Sequence, residues 1–260
     1  MYPSVMTNHA YPIRYLGTKK DPTLDEVAKA SRRFEVMVEG RWNIAEPVLP
    51  YNSTPLSFPI GRFSSVITGP EYRYLAERNW IESIYQVWVY QRGDPFTSYV
   101  TYFWKLRSEA ISSGDKTWDW ISKLFMNSLY GKFAQRNPRY EVGKATMGQP
   151  DGLFSVISSG GGGVSSRMVL GGMIWMKIGD DPAHWTFYPL SSWVTAYARL
   201  KLWELIKRAG RGHVFYCDTD SVYVDQVGFE QLQPLIIEGK LGALGIKRTG
   251  NSLIIKGAKD

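Results

Sequence analysis

The chain has 260 residues, and 44% of them are apolar, including 10 Trp, 16 Tyr and 11 Phe, which favours a globular fold over disorder and leaves room for one large domain or two modest ones. Lys plus Arg number 31 against 24 Asp plus Glu, a net charge of +7 that favours a polyanionic partner such as nucleic acid. The one cysteine, Cys217, excludes an intrachain disulfide and fits a reducing compartment. No apolar run approaches the roughly 20 residues of a membrane span, and the opening MYPSVMTNHAYPIR lacks the pattern of a secretory signal.

In chain order, Tyr2-Pro3-Ser4 reads as a turn carrying an aromatic ring, and EPVLPYNSTPLSFPIG (46–61) as a loop-rich insertion. IESIYQVWVY (81–90) reads as a strand that Gly93-Asp94-Pro95 breaks. The stretch from Thr97 to Ala110 is helical in composition. Gly114 ends it, and Asp115 is placed to cap a second helix, KTWDWISKLFMNSLYGKF (116–133). Beyond Arg136-Asn137-Pro138 lies a Gly-rich region whose centre, SSGGGGVSS (158–166), reads as a loop or hairpin tip. MIWMKIG (173–179) is a short strand. SSWVTAYARLKLWELIKRAG (191–210) is the clearest helix, with Ser191 or Ser192 as cap, Lys207 and Arg208 suited to its C-terminal dipole, and Gly210 as its stop. HVFYCDTDSVYVD (213–225) reads as two strands joined by a tight turn. Short strands interspersed with helices predict an α+β fold.

Three clusters can carry chemistry. Asp218 and Asp220 fall on one face if strand geometry continues through them. Paired carboxylates on a sheet edge are costly unless a divalent cation such as Mg²⁺ neutralises them. Asp-Thr-Asp-Ser is also good material for a polar turn. On the helix KLFMNSLYGKF (123–133), Lys123, Asn127 and Tyr130 share a face at i, i+4 and i+7, with Leu124, Leu129 and Phe133 offered for packing. Lys123 suits a phosphate, Gly131 allows close approach of a base or backbone, and Arg107 on the preceding helix can add a guanidinium to the same phosphates. The alternative is an ordinary amphipathic helix with a solvated Lys and a core Tyr. Tyr2 is the third candidate, and simple packing accounts for it equally well.

Taken together and in order, Tyr-Pro-Ser, then K-x-x-x-N-S-x-Y-G, then Y-C-D-T-D-S resemble motifs A, B and C of family B DNA polymerases. PFTSYVTYFWKLRSEA and YPLSSWVTAYARLKL are similar to the helices that precede motifs B and C in the protein-primed branch, which serves phages, adenoviruses and linear plasmids. The resemblance implies a polymerase palm in two parts (1–45 and 187–260), helical fingers (96–137), and two insertions (46–95, of the terminal-protein-region type, and the Gly-rich 138–186). It implies that Asp220 ligates the catalytic metals with Asp218 beside it, two Mg²⁺ ions with Mn²⁺ as a substitute. Tyr2 lies under the nucleotide sugar, and Lys123 and Arg107 hold the triphosphate. Asn127 and Tyr130 line the nucleotide pocket, Gly131 admits the template, and Lys259 in LIIKGAKD contacts the primer as the lysine of a Lys-x-Tyr motif. The expected partners are primer-template DNA, deoxynucleotides and a terminal protein primer. The expected setting is a monomer in a host cytoplasm or organelle matrix.

The departures lie at the ends. The family's motif A aspartate precedes the tyrosine by more residues than this chain holds, the chain stops one residue short of the Lys-x-Tyr tyrosine, and no exonuclease or thumb segment is expected within it. Two functions follow: a part of a DNA-directed DNA polymerase that is inactive alone, or a decayed or split polymerase acting as a non-catalytic nucleic-acid-binding protein. A reverse transcriptase is disfavoured, because that class lacks K-x-x-x-N-S-x-Y-G. Asp225 reads as a solvated residue.

Overall fold

A computed structural model describes residues 1–146, 148–157 and 164–255. The chain divides into two compact units, one of Met1–Tyr130 with the chain from Pro189 onward, and one of Gly131–Tyr188. Helices and antiparallel sheets are mixed along it, as the α+β reading expects.

The first unit opens with α1 (Tyr2–Asn8), β1 (Tyr11–Lys20), α2 (Leu24–Arg33), β2 (Glu35–Ile44), β3 (Gly61–Ile67), α3 (Gly69–Ala76) and β4 (Ile81–Gly93). Tyr2-Pro3-Ser4, expected as a turn, instead begins a helix. Proline fits there because its missing N–H would have no partner in a first turn and its φ is already helical. The four strands form one antiparallel sheet in the order β1-β4-β2-β3, so the expected boundary at 45/46 falls inside a single sheet. Along β2, Val36, Val38, Trp42 and Ile44 point into the core while Arg41 and Asn43 face out. Gly40 takes the inward slot between them, where a Cβ would stand 2.4 Å from the Ser83 carbonyl oxygen and 2.7 Å from the Trp42 ring. The approach of β2 to β4 therefore needs glycine at that slot. Val27, Tyr72 and Leu75 complete the core from α2 and α3. Each of these helices starts with a capping box, Thr23 with Glu26 and Thr68 with Glu71. Residues 45–60 carry no helix or strand beyond a bridge between Tyr51 and Ser57, yet Val48 and Leu49 reach into the core and pin the loop.

α4 (Thr97–Ser113) and α5 (Lys116–Lys132) follow. Gly114 ends α4 at φ +74, and the Asp115 carboxylate accepts from the Thr117 and Trp118 N–H groups at 3.0 Å each, as expected. The second unit is a sheet of β5 (Arg136–Ala145), β6 (Gly152–Ile157), β7 (Val164–Leu170) and β8 (Met173–Pro182) in the order β5-β8-β7-β6. Pro138 lies on the edge strand β5, where its missing N–H is tolerated. The Gly-rich residues 158–163 lie outside the described residues. Ile157 and Val164 on either side of them pair with each other.

α6 (Tyr188–Ala209) is the longest helix among the described residues, and it buries Leu190, Trp193, Val194, Ala196 and Ala198. It begins three residues before the expected caps, so Ser191 and Ser192 lie within it. Lys207 donates to the Tyr74 hydroxyl at 3.1 Å and pairs with Glu204 at 2.7 Å. The hairpin β9 (Val214–Asp218) and β10 (Ser221–Val224) leads to α7 (Gln226–Leu232). Asp225 is not merely solvated. Its carboxylate caps α7 by accepting from the Gly228 N–H at 2.9 Å and pairs with His213 Nδ1 at 2.8 Å.

A buried acid fastens the first sheet to α6. Glu35, 1% exposed, accepts from Arg73 at 3.2 Å, from Arg92 Nε at 2.9 Å and from the Trp193 indole N–H at 2.9 Å. Arg92 also donates to the Ser31, Arg32 and Phe34 carbonyls, which caps the end of α2. Glu71 accepts in the same way from Arg199 on α6.

Candidate active site

The β9–β10 hairpin pairs Asp218 with Ser221 and leaves Thr219 and Asp220 as its tip. Strand alternation stops at Asp218, so a turn sets the spacing of the two carboxylates. The Asp220 N–H donates to the Asp218 carbonyl at 2.5 Å, and Thr219 is held at φ +49. A β-branched residue in the left-handed region costs on the order of 1 kcal/mol, so the surrounding bonds must over-determine the turn. They include Thr219 Oγ1 to Asp218 Oδ1 at 2.8 Å and Ser221 Oγ to the Asp218 carbonyl at 3.2 Å. At the foot of the hairpin the His213–Asp225 pair is reinforced by the Asp225 N–H donating to the His213 carbonyl at 3.2 Å. The Gly228 N–H, and then His213, hold the Asp225 carboxyl below its ordinary range.

Tyr2, at the start of α1, stacks on Tyr130, near the end of α5, with ring centroids 4.3 Å apart and planes at 28°. The Tyr2 phenol is pushed well above its ordinary pKa, first by burial and then by a hydrogen bond with Tyr130 and the nearby charge of Asp220. The Met1 nitrogen lies 3.6 Å from the Asp220 carboxylate. Residues from all three sequence motifs therefore meet at one place. Ser191, expected as a helix cap, instead donates its hydroxyl to the Tyr130 carbonyl and ties α5 to α6. No local pattern signals that partnership.

Lys123 and Asn127 are exposed on α5, and a Cβ at Gly131 would meet nothing within 4 Å, so this face is open. The packing face differs from expectation. Leu124 is exposed, and Ser122 and Met126 are buried instead. Arg107 forms an ion pair with Asp119 at 2.8 Å, and Asp119 stands one helical turn before Lys123. Asp119 was not singled out from the sequence. Lys259 lies outside the described residues. Among the described residues, no group of three His, Cys, Asp or Glu side chains converges to hold a metal. Asp218 and Asp220 fit a hard divalent cation in charge and ligand type, but they supply only part of a coordination shell.

Residues 1–150 match the family described as DNA polymerase type B, organellar and viral. That is more than half of the chain, and the protein belongs to this family. Over its whole length it is 26% identical to the DNA-directed DNA polymerase of Enterobacteria phage PRD1, of which it spans 44%. Over 205 residues it is 22% identical to a probable DNA polymerase of Neurospora intermedia, covering 74% of this chain and 20% of that protein. The fold is similar to that of phi29 DNA polymerase complexed with primer-template DNA, with a TM-score of 0.57 at 15% identity over 93% of this chain and 39% of that one. The chain thus spans less than half the length of these relatives.

Proposed function

We propose that the chain is the palm and fingers region of a protein-primed DNA-directed DNA polymerase, which joins deoxynucleotides to a primer 3′-hydroxyl on a DNA template. The observation that carries this is the Tyr2–Tyr130 stack with Asp220 beside it, because it unites the three motifs. In this reading α1, α6 and the β9–β10 hairpin form the palm, and α4 and α5 the fingers. The sheet between α1 and α4 is the terminal-protein-type insertion, and β5–β8 the second one. Asp220 and Asp218 would hold magnesium, with manganese as a substitute, and two such ions when bound activate the primer hydroxyl and neutralise the leaving pyrophosphate. Lys123 and Arg107 place positive charge on the triphosphate, and Asp119 fixes the direction of the Arg107 guanidinium. The Tyr2 ring, held by Tyr130, lies under the sugar and leaves no room for a ribose 2′-hydroxyl. Asn127 lines the pocket, and the open face at Gly131 admits the template. Lys259 is assigned to the primer strand. The working partners are primer-template DNA, deoxynucleotides and a terminal protein, with a monomer acting in a host cytoplasm or organelle matrix.

The net charge of +7 also suits a second reading, a DNA-binding chain with no chemistry of its own. Primer extension in Mg²⁺ separates the two. On the first reading, the polymerase extends a primer with templated deoxynucleotides, and Asp220→Ala abolishes that synthesis. On the second, DNA binding persists in every variant and no synthesis appears in any.

A further inference from the structure

Three segments distant in sequence meet at Ser4, which is 2% exposed on α1, two residues beyond Tyr2. From α6, Lys201 Nζ donates to the Gly242 carbonyl at 2.9 Å and to Ser4 Oγ at 3.3 Å. Gly242 sits at φ +85, and a Cβ there would stand 2.0 Å from Ser4 Oγ and 2.7 Å from Ser4 Cβ. The turn that carries Gly242 is closed by the Ala243 N–H donating to the Lys240 carbonyl at 3.2 Å. It is anchored by the Leu244 N–H donating to the Leu235 carbonyl at 3.0 Å. The turn is therefore pressed onto α1 with no room for a side chain, and Lys201 bridges the two. Lys201 makes no ion pair with a carboxylate among the described residues, and burial lowers its pKa. A half-buried ammonium with only neutral acceptors is costly, so its place in this joint calls for a role.

We propose that Lys201 is a positioning residue for the nucleotide pocket: by bridging Ser4 and Gly242 it fixes the seat of α1, and with it the Tyr2 ring against Tyr130. The proposal rests on the reading of Tyr2 as the residue beneath the nucleotide sugar. α1 is two turns long, and Ser4 lies about 3 Å along its axis from Tyr2, so a shift at Ser4 reaches the ring undamped. A displacement of about 1 Å forfeits a large part of the contact between packed atoms and opens space beside the sugar. The expected signature is lost sugar discrimination rather than lost nucleotide affinity.

The test is equilibrium binding of dATP and ATP, with Mg²⁺, to the 260-residue chain on a primer-template whose next template base is thymine. Wild type is compared with Tyr2→Ala, Lys201→Met, Ser4→Ala and the Lys201→Met/Ser4→Ala double variant, each checked for an intact melting transition. Wild type should prefer dATP, and Tyr2→Ala should erase the preference. Lys201→Met and Ser4→Ala should each reduce it about 5- to 10-fold, with dATP affinity kept within about 3-fold, and the double variant should do no more than the stronger single one. Ser4→Ala removes only one hydroxyl, so it keeps the test valid if Lys201→Met does not fold. Single variants that retain the full preference while Tyr2→Ala loses it overturn the Lys201 assignment and leave the sugar reading standing. A wild type without preference, or a Tyr2→Ala variant that keeps it, overturns the sugar reading and the Lys201 assignment together.

Discussion

Asp220 occupies the tip of a hairpin whose turn is held by Thr219 at φ +49 and by hydroxyls on either side. Removing its carboxylate leaves that scaffold in place, so Asp220→Ala should abolish synthesis without unfolding the chain. If Asp220 holds a catalytic metal as proposed, its loss forfeits several kcal/mol of transition-state stabilisation, and about 4 kcal/mol corresponds to ~10³-fold in rate. Primer extension, with thermal melting as control, checks both halves. Asp225 makes the complementary case, since its role is in folding. Its carboxyl is held below the ordinary range by the Gly228 N–H and then by His213, so the folded state favours the ionised form. The stabilisation is fully present above the ordinary aspartate range and fades as pH falls through the lower folded value. Asp225→Ala should therefore melt below wild type at pH 7, and the gap should narrow as pH falls below the ordinary aspartate range. An unchanged gap across that range would refute the assignment.

Among the elements, the sheet β1-β4-β2-β3 and α6 share the buried carboxylate of Glu35. Glu35→Ala would leave Arg73 and Arg92 beside a hole, each without its carboxylate, and the Trp193 indole N–H without an acceptor. Breaking a fully buried ion pair costs about 3–5 kcal/mol, and the partial exposure of both arginines moves the expectation to about 2–3 kcal/mol. Urea denaturation should show this as a lower midpoint with an unchanged slope. Local punctuation made several elements legible. Gly114 and Asp115 delimit α4 and α5, Gly210 stops α6, and the apolar run IESIYQVWVY announces β4. β1 was not legible, because it is an edge strand exposed on both faces beyond its first two residues and carries no alternation. β2 does alternate, but Gly40 occupies one of its inward slots and masks the period. The capping boxes of α2 and α3 were present as signals in Thr23-x-x-Glu26 and Thr68-x-x-Glu71. At the site, Lys123, Asn127 and Tyr130 share a helix because helical spacing is local information. The joints made by Ser191 and Lys201 run to main-chain carbonyls and a hydroxyl far along the chain, which no window of sequence reports.

If the chain binds DNA as proposed, a net charge of +7 over its 260 residues makes that affinity an ionic-strength question. If six or more phosphates are neutralised, primer-template affinity should fall about 10³-fold or more between 50 and 200 mM salt. A log–log plot of affinity against salt measures the number of contacts directly. The Glu35–Trp193 bond spans 158 residues of chain, and the Arg199–Glu71 pair spans 128. Trp193 also lies against Gly69, at the start of α3, so the indole is part of the wall that the first sheet folds against. During synthesis, roughly 100 residues separate Arg92 from Trp193, about 5–20 s of translation. For that interval the nascent sheet holds a buried acid short of one donor and a wall not yet made. Residues 11–93 thus have the connectivity of an independent module without its autonomy, and transplanting them into another scaffold would require supplying a surrogate for that distant indole.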